Sequence, residues 1–219
     1  MKKYIVLIAC LACASVGYAQ RASSSTTSFF STEKGDARVR LGIRGGLNVA
    51  KLHLSDDDDS ENTDSRPGFH VGLNLDVPIT QSLYFQTGLF FTQKGFKEKE
   101  GSVTYKGNPG YLEVPLMASY RYNFNDNIQF QLATGPYLAV GICGKYKYEN
   151  TNGTEADIDY FGDDGADFKR FDMGWQVGAG FSIHRVYIGY TFQAGFLNTA
   201  DSDVNFRTRN HMISVGYDF

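Results

Sequence analysis

The sequence predicts an all-β fold, an eight-stranded antiparallel up-and-down transmembrane β-barrel of the outer-membrane type. Three observations predict it. Bulky apolar residues alternate with small or polar ones along segment after segment, most plainly in FDMGWQVGAGFSI at 171–183. A period of two marks a strand with one apolar face. There are eight such segments, and their connections run long, short, long, short, long, short, long. Neighbours joined by tight turns must be antiparallel, and this alternation of loop lengths is the outer-membrane barrel pattern. Lastly, no apolar run reaches the ~20 residues a spanning helix needs, while ten strand residues tilted at about 40° cover roughly 25 Å.

The chain opens with features of a secretory leader over 1–19. Lys2 and Lys3 give a positive start, 4–16 is apolar, and Gly17-Tyr18-Ala19 is a small-x-small cleavage site. Leu7-Ile8-Ala9-Cys10 also fits a lipoprotein box, but it leaves a shorter apolar region before Cys10 than such leaders use. Cleavage after Ala19 removes Cys10 and Cys13, so Cys143 is the mature chain's lone cysteine and no internal disulfide is expected. It also removes two of the 21 basic residues, leaving 19 against 24 acidic ones, a net charge of −5. Nothing in that balance suggests nucleic acid. Residues 20–37 are Ser/Thr-rich without periodicity and read as a flexible N-terminal segment. The barrel domain is expected over 38–219.

The first strand is expected over 38–51, with Val39, Leu41, Ile43 and Leu47 on one face. A polar loop with Asp56, Asp57, Asp58 and Asp59 follows. The second strand, 69–77, opposes Phe69, Val71, Leu73 and Leu75 to His70, Gly72, Asn74 and Asp76. After a short turn at 78–82 comes the third, 83–96, and then a charged loop over 97–110. The fourth, 111–124, contains Pro115, read as a local bulge. Asn125-Asp126-Asn127 is a tight turn. The fifth strand is expected over 128–146, followed by an acidic loop to Lys169. The sixth and seventh, 171–183 and 186–196, flank the two-residue turn His184-Arg185. A polar loop leads to the last strand, 209–219, whose outward set ends on Tyr217 and Phe219.

Alternation alone leaves open which face is outside. An eight-stranded barrel has little interior room, and here the apolar set is the bulky one. The other set is rich in Gly, Ser, Gln and charge. Aromatics gather near strand ends, at Tyr120, Tyr122, Phe124, Tyr217 and Phe219, where a lipid interface would sit. The apolar face is therefore expected to meet outer-membrane lipid, with both termini on the periplasmic side.

The terminal Tyr217-Asp218-Phe219 resembles the C-terminal signal read by the barrel-assembly machinery, which would be a partner during biogenesis. YLEVPL at 111–116, GPYLAVGI at 135–142 and FDMGWQVGAG at 171–180 resemble the PorT-like outer-membrane barrel family of Bacteroidetes. The resemblance covers roughly 38–219. It implies the barrel, and it implies a role beside secretion-system or surface proteins, because PorT is associated with type IX secretion.

The inward set carries the charges. Arg40, Asp76 and Asp218 fall near the periplasmic end of adjacent strands, so Arg40 is expected to bridge both carboxylates. Glu113, Lys145 and Asp172 fall near the outer end of three neighbouring strands. Arg44 and Arg121 also point inward. Confined charges must be paired or hydrated, so the expectation is two clusters of structural ion pairs. A narrow polar path or small-ligand site is the alternative. Asp56 to Asp59, and Asp157, Asp159, Asp163, Asp164 and Asp167, are candidate surface interaction loops. Their oxygens would suit Ca²⁺, but neither stretch has the spacing of the twelve-residue calcium loop, and no cofactor is expected. No GxSxG occurs, and His70 with a loop aspartate is the best acid–base pairing available. The chain is read as a non-enzyme. Structural or interaction protein, accessory to secretion, is the leading function class, with a narrow pore as the alternative and a membrane enzyme third.

Overall fold

A computed structural model describes residues 38–55, 60–62, 64–100, 103–125, 127–150, 155–161, 170–197 and 205–219. The leader and the flexible segment expected over 1–37 lie outside these residues, as do Asp56 to Asp59, Asp163, Asp164 and Asp167.

The described residues form thirteen strands: β1 (Arg40–Ser55), β2 (Ser60–Asn62), β3 (Asp64–Pro78), β4 (Leu83–Gln93), β5 (Phe96–Glu100), β6 (Val103–Gly107), β7 (Gly110–Asn123), β8 (Ile128–Cys143), β9 (Lys145–Asn150), β10 (Glu155–Asp159), β11 (Phe171–Ile183), β12 (Val186–Gly195) and β13 (Asn205–Asp218). Eight of them close a ring in the order β3-β4-β7-β8-β11-β12-β13-β1 and back to β3, every pair antiparallel. Followed once round, these registers return to the starting strand offset by about ten residues, a stagger that goes with strands tilted roughly 40°. No helix among the described residues is long and apolar enough to cross a membrane, a statement about helices that leaves strands free to cross.

The alternation read from the sequence sorts inside from outside. Leu47, Leu73, Leu89, Val177, Ile188 and Ile213 are exposed on the outer wall, Leu47 by 67% of its surface. Asn48, Asn74, Asp76, Gln193 and Asn210 are buried in the lumen. This inverts a soluble protein, in which apolar side chains seek the interior. It fits a wall whose solvent is hydrocarbon.

The short connections build one end of the barrel, the turn end. Thr80 Oγ1 accepts the backbone N–H groups of Ser82 and Leu83. Asn125 Oδ1 accepts those of Asn127 and Ile128, at 2.9 and 2.8 Å. His184 adopts φ 55° in the two-residue turn between β11 and β12, the left-handed geometry that tight hairpins demand.

Two expectations about the wall are corrected. Pro115 does not insert a residue. The β7–β8 pairing lapses between Pro115 and Ala118, yet the same register resumes beyond. A proline lacks the N–H for one ladder bond but shifts nothing. The register shift sits at Gly110/Tyr111. The connections at the other, loop end are also far more ordered than polar composition suggested. β5, β6, β9 and β10 extend β3 as one antiparallel sheet above the barrel, and β2 pairs with the top of β1. Lys145-Tyr146-Lys147-Tyr148 alternates with period two. Tyr105 packs against both tyrosines, 6.0 Å from Tyr146 and 5.7 Å from Tyr148 between ring centroids.

Candidate functional site

The lumen and its two mouths hold the polar side chains that could do chemistry. At the loop end, Lys94 Nζ lies 3.0 Å from Asp172 Oδ2 and 3.7 Å from Glu113 Oε2, all three nearly inaccessible. The ammonium also faces the rings of Tyr137, at 4.6 Å, and Tyr111, at 5.2 Å. Gln193 Nε2 donates to Glu113 Oε1 at 2.5 Å and to Gln176 Oε1 at 3.0 Å, while Asn210 donates to Gln193 Oε1 at 2.9 Å. Five strands are thus stitched through the centre. Glu113 and Asp172 share a cation, and it is Lys94 and not the expected Lys145. Lys145 lies exposed on β9 instead. The strand expected to carry it inward stops at Cys143, and Gly144 takes φ +156°, where L side chains are strained. The chain leaves the wall there. Lys94 was missed although it continues the inward parity of Gln86 and Thr92.

Above this cluster the mouth is capped. Tyr160 and Phe161, after β10, pack on Tyr111, Tyr137 and Ala139 as a buried apolar group. Phe161 lies so close over Gly141 that a Cβ there would come within 2.2 Å of its ring. That contact is why a wall position must be glycine. Burial pushes the Tyr160 phenol well above its ordinary pKa.

In mid-barrel, His70 Nδ1 contacts Asn48 Oδ1 at 2.6 Å and His70 Nε2 contacts Ser214 Oγ at 2.9 Å. Asn48 Nδ2 donates to the carbonyls of Phe69 and Gln93, which fixes its oxygen toward the imidazole. Both ring nitrogens of His70 are therefore partnered inside the barrel, and among the described residues neither bonds to a loop aspartate. The adjoining cavity is about 60 Å³, lined by Arg44, Asn74, Gln176 and Met117 among others. That is room for a few waters.

Toward the turn end, Gln131 donates to Gln86, and Gln86 to Asn74, at 2.6 and 2.8 Å. Arg121 pairs with Asp76, both fully buried, and its guanidinium lies 4.2 Å from the Tyr84 ring centroid. Arg44 stacks 3.9 Å over Tyr187. Asp218 lies over Gly42. The expected bridge from Arg40 to Asp76 is therefore made by Arg121. Arg40 is the register partner of Asp76, but it stands exposed at the rim, where water solvates it. Arg121, on β7, reaches past β4 to Asp76 on β3, and burial leaves it no alternative partner as good as a carboxylate.

Of the acidic loop residues, Asp157 and Asp159 fall on β10, in register opposite Lys147 and Lys145. Among the described residues no group of three or more His, Cys, Asp or Glu side chains is placed to hold a metal ion.

A family model described as outer membrane protein beta-barrel domain matches residues 18–201. No curated protein matches the chain. Among solved structures, the chain is similar to Ail, the attachment invasion locus protein of Yersinia pestis, at 15% identity over 85% of this chain and 99% of that one, with TM-score 0.45. It is similar to OprG from Pseudomonas aeruginosa, at 13% identity over 85% and 99%, with TM-score 0.45. Neisserial surface protein A shows 15% identity over 82% and 97%, with TM-score 0.44.

Proposed function

Because this chain belongs to the outer membrane protein β-barrel domain family and is an integral outer-membrane protein, we propose that it works as an interaction platform, with the barrel as its anchor. The observation that carries this reading is the filled lumen. Among the described residues, the cross-strand network around Lys94 and the Phe161 cap fill the lumen and its loop-end mouth, and the mid-barrel cavity is only about 60 Å³. What the barrel offers instead is the sheet of β5, β6, β9 and β10 above its mouth. Surface elements on a rigid scaffold are where binding usually resides. In this reading the loop end faces outward, both termini are periplasmic, and the protein is not an enzyme. The PorT-like motifs support a finer version, in which the platform serves protein secretion in a Bacteroidetes envelope.

Purified protein in planar bilayers is expected to give no stepwise conductance at ordinary salt. Regular channel openings would favour the narrow-pore alternative and count against the platform. A deletion strain then separates the finer version from the coarser. If secreted cargo accumulates in its periplasm, the role is in secretion. If export is normal, the platform serves another partner.

A further inference from the structure

We propose that the turn-end mouth of the barrel is a docking site for an acidic, carboxylate-bearing peptide segment of a soluble partner. A cavity of about 560 Å³ opens there, within the usual range for ligand pockets of about 300–1,000 Å³. Arg38, Arg40, His184 and Arg185 line it, and all four are exposed. Among the described residues, Arg38 and Arg185 make no ion pair. Among the described residues, the acids of this end turn inward: Asp76 is held by Arg121, and Asp218, which lines the cavity, lies half-buried over Gly42. Among the described residues, the charges outermost on this rim are therefore cations.

The position of these cations selects the ligand. Arg40 shares the inward register of Gly42 and Arg44, and the cavity's other walls include the inward residues Tyr84 and Ser182. The guanidinium groups thus sit on the lumen side of one arc of the rim, at β1 and the β11–β12 turn, while lipid headgroups lie outside the wall. Guanidinium groups pair with carboxylates through two parallel hydrogen bonds. The exposed amides of Asn123 and Asn127, on the same cavity, can pair with a peptide backbone. The periplasmic origin of the partner rests on the orientation proposed above; the peptide site does not.

The test uses the full chain in detergent micelles and a fluorescent ten-residue polyglutamate, with polyglutamine as control, read by anisotropy. Saturable binding of polyglutamate alone is expected. It should weaken about tenfold or more in Arg38→Glu/Arg185→Glu, each exposed pair contributing a fraction of that free energy, with the heat-modifiable barrel band retained. Arg185→Gln by itself should show a smaller loss in the same direction. Equal binding of both peptides, or unchanged affinity in both variants, overturns the proposal. So does retention of phosphatidylglycerol vesicles by the same residues with no peptide binding.

Discussion

Lys94→Met is expected to destabilise the folded barrel by about 3–5 kcal/mol, the usual consequence of removing one partner from a buried ionic group. Lys94 is the shared cation of Glu113 and Asp172, at 3.7 and 3.0 Å. Without it two buried carboxylates face one another beside Tyr137, whose hydroxyl already donates to Asp172 at 3.3 Å. Neither carboxylate can turn to water, because the Phe161 cap closes the mouth above them. Unfolding by urea in lipid vesicles reads the effect, with Trp175, the sole tryptophan, as the fluorescent reporter. Trp175 is well placed for this: it is exposed on the outer wall, its indole N–H bonded to Thr134 Oγ1 at 2.8 Å. Adding Glu113→Gln and Asp172→Asn to Lys94→Met should restore most of the loss, since neutral amides can bond to one another and to Gln193. An unchanged midpoint in Lys94→Met would show that the cluster is hydrated enough to hold its charges apart.

The second large effect is a contrast. Arg121→Leu is expected to cost about 3–5 kcal/mol in the same assay, and Arg40→Ala less than about 1 kcal/mol. Asp76 is wholly buried, and its oxygens cannot exchange Arg121 for water. Arg121 also gives up its stacking on Tyr84 when truncated. Arg40 stands in solvent with the same ring 5.7 Å away, so its removal leaves no charge stranded. Equal midpoints for the two variants would mean that Arg40 swings inward to take over the carboxylate.

The same contrast shows where sequence reasoning stopped. The wall was legible because each of its eight strands keeps one face in lipid, and that requirement is written every second residue from Val39 to Tyr217. Parity also placed Arg44, Asp76, Glu113, Arg121 and Asp172 in the lumen. It could not say which groups meet across the lumen, because register relates neighbours on adjoining strands only. Arg40 is next to Asp76 by register, yet Arg121, from β7, makes the bond. Lys145 was misplaced by a single backbone angle at Gly144, which no alternation pattern records. Lys94 was available to the same parity argument and was passed over at a strand end. The loop sheet was hidden by charge: 97–100 is all lysine and glutamate and reads as solvated loop, and the alternation of 145–148 was followed only to Tyr146. The Phe161 cap depends on a contact between distant parts of the chain and leaves no local trace beyond a glycine at 141.

The seam between β1 and β13 carries a consequence in time. Its ladder runs from Gly42↔Asp218 to Ser55↔Asn205, so it joins the first strand of the barrel to the last. Until β13 has been synthesised, β1 has an unpaired edge facing it, and the growing sheet cannot close. Contacts that distant in sequence form slowly, and an open sheet edge flanked by the bare apolar wall is prone to pair with other chains. Insertion must therefore follow synthesis. Until then the chain has to be held apart from its copies, and completion of the seam is the event that removes the last open edge of the sheet.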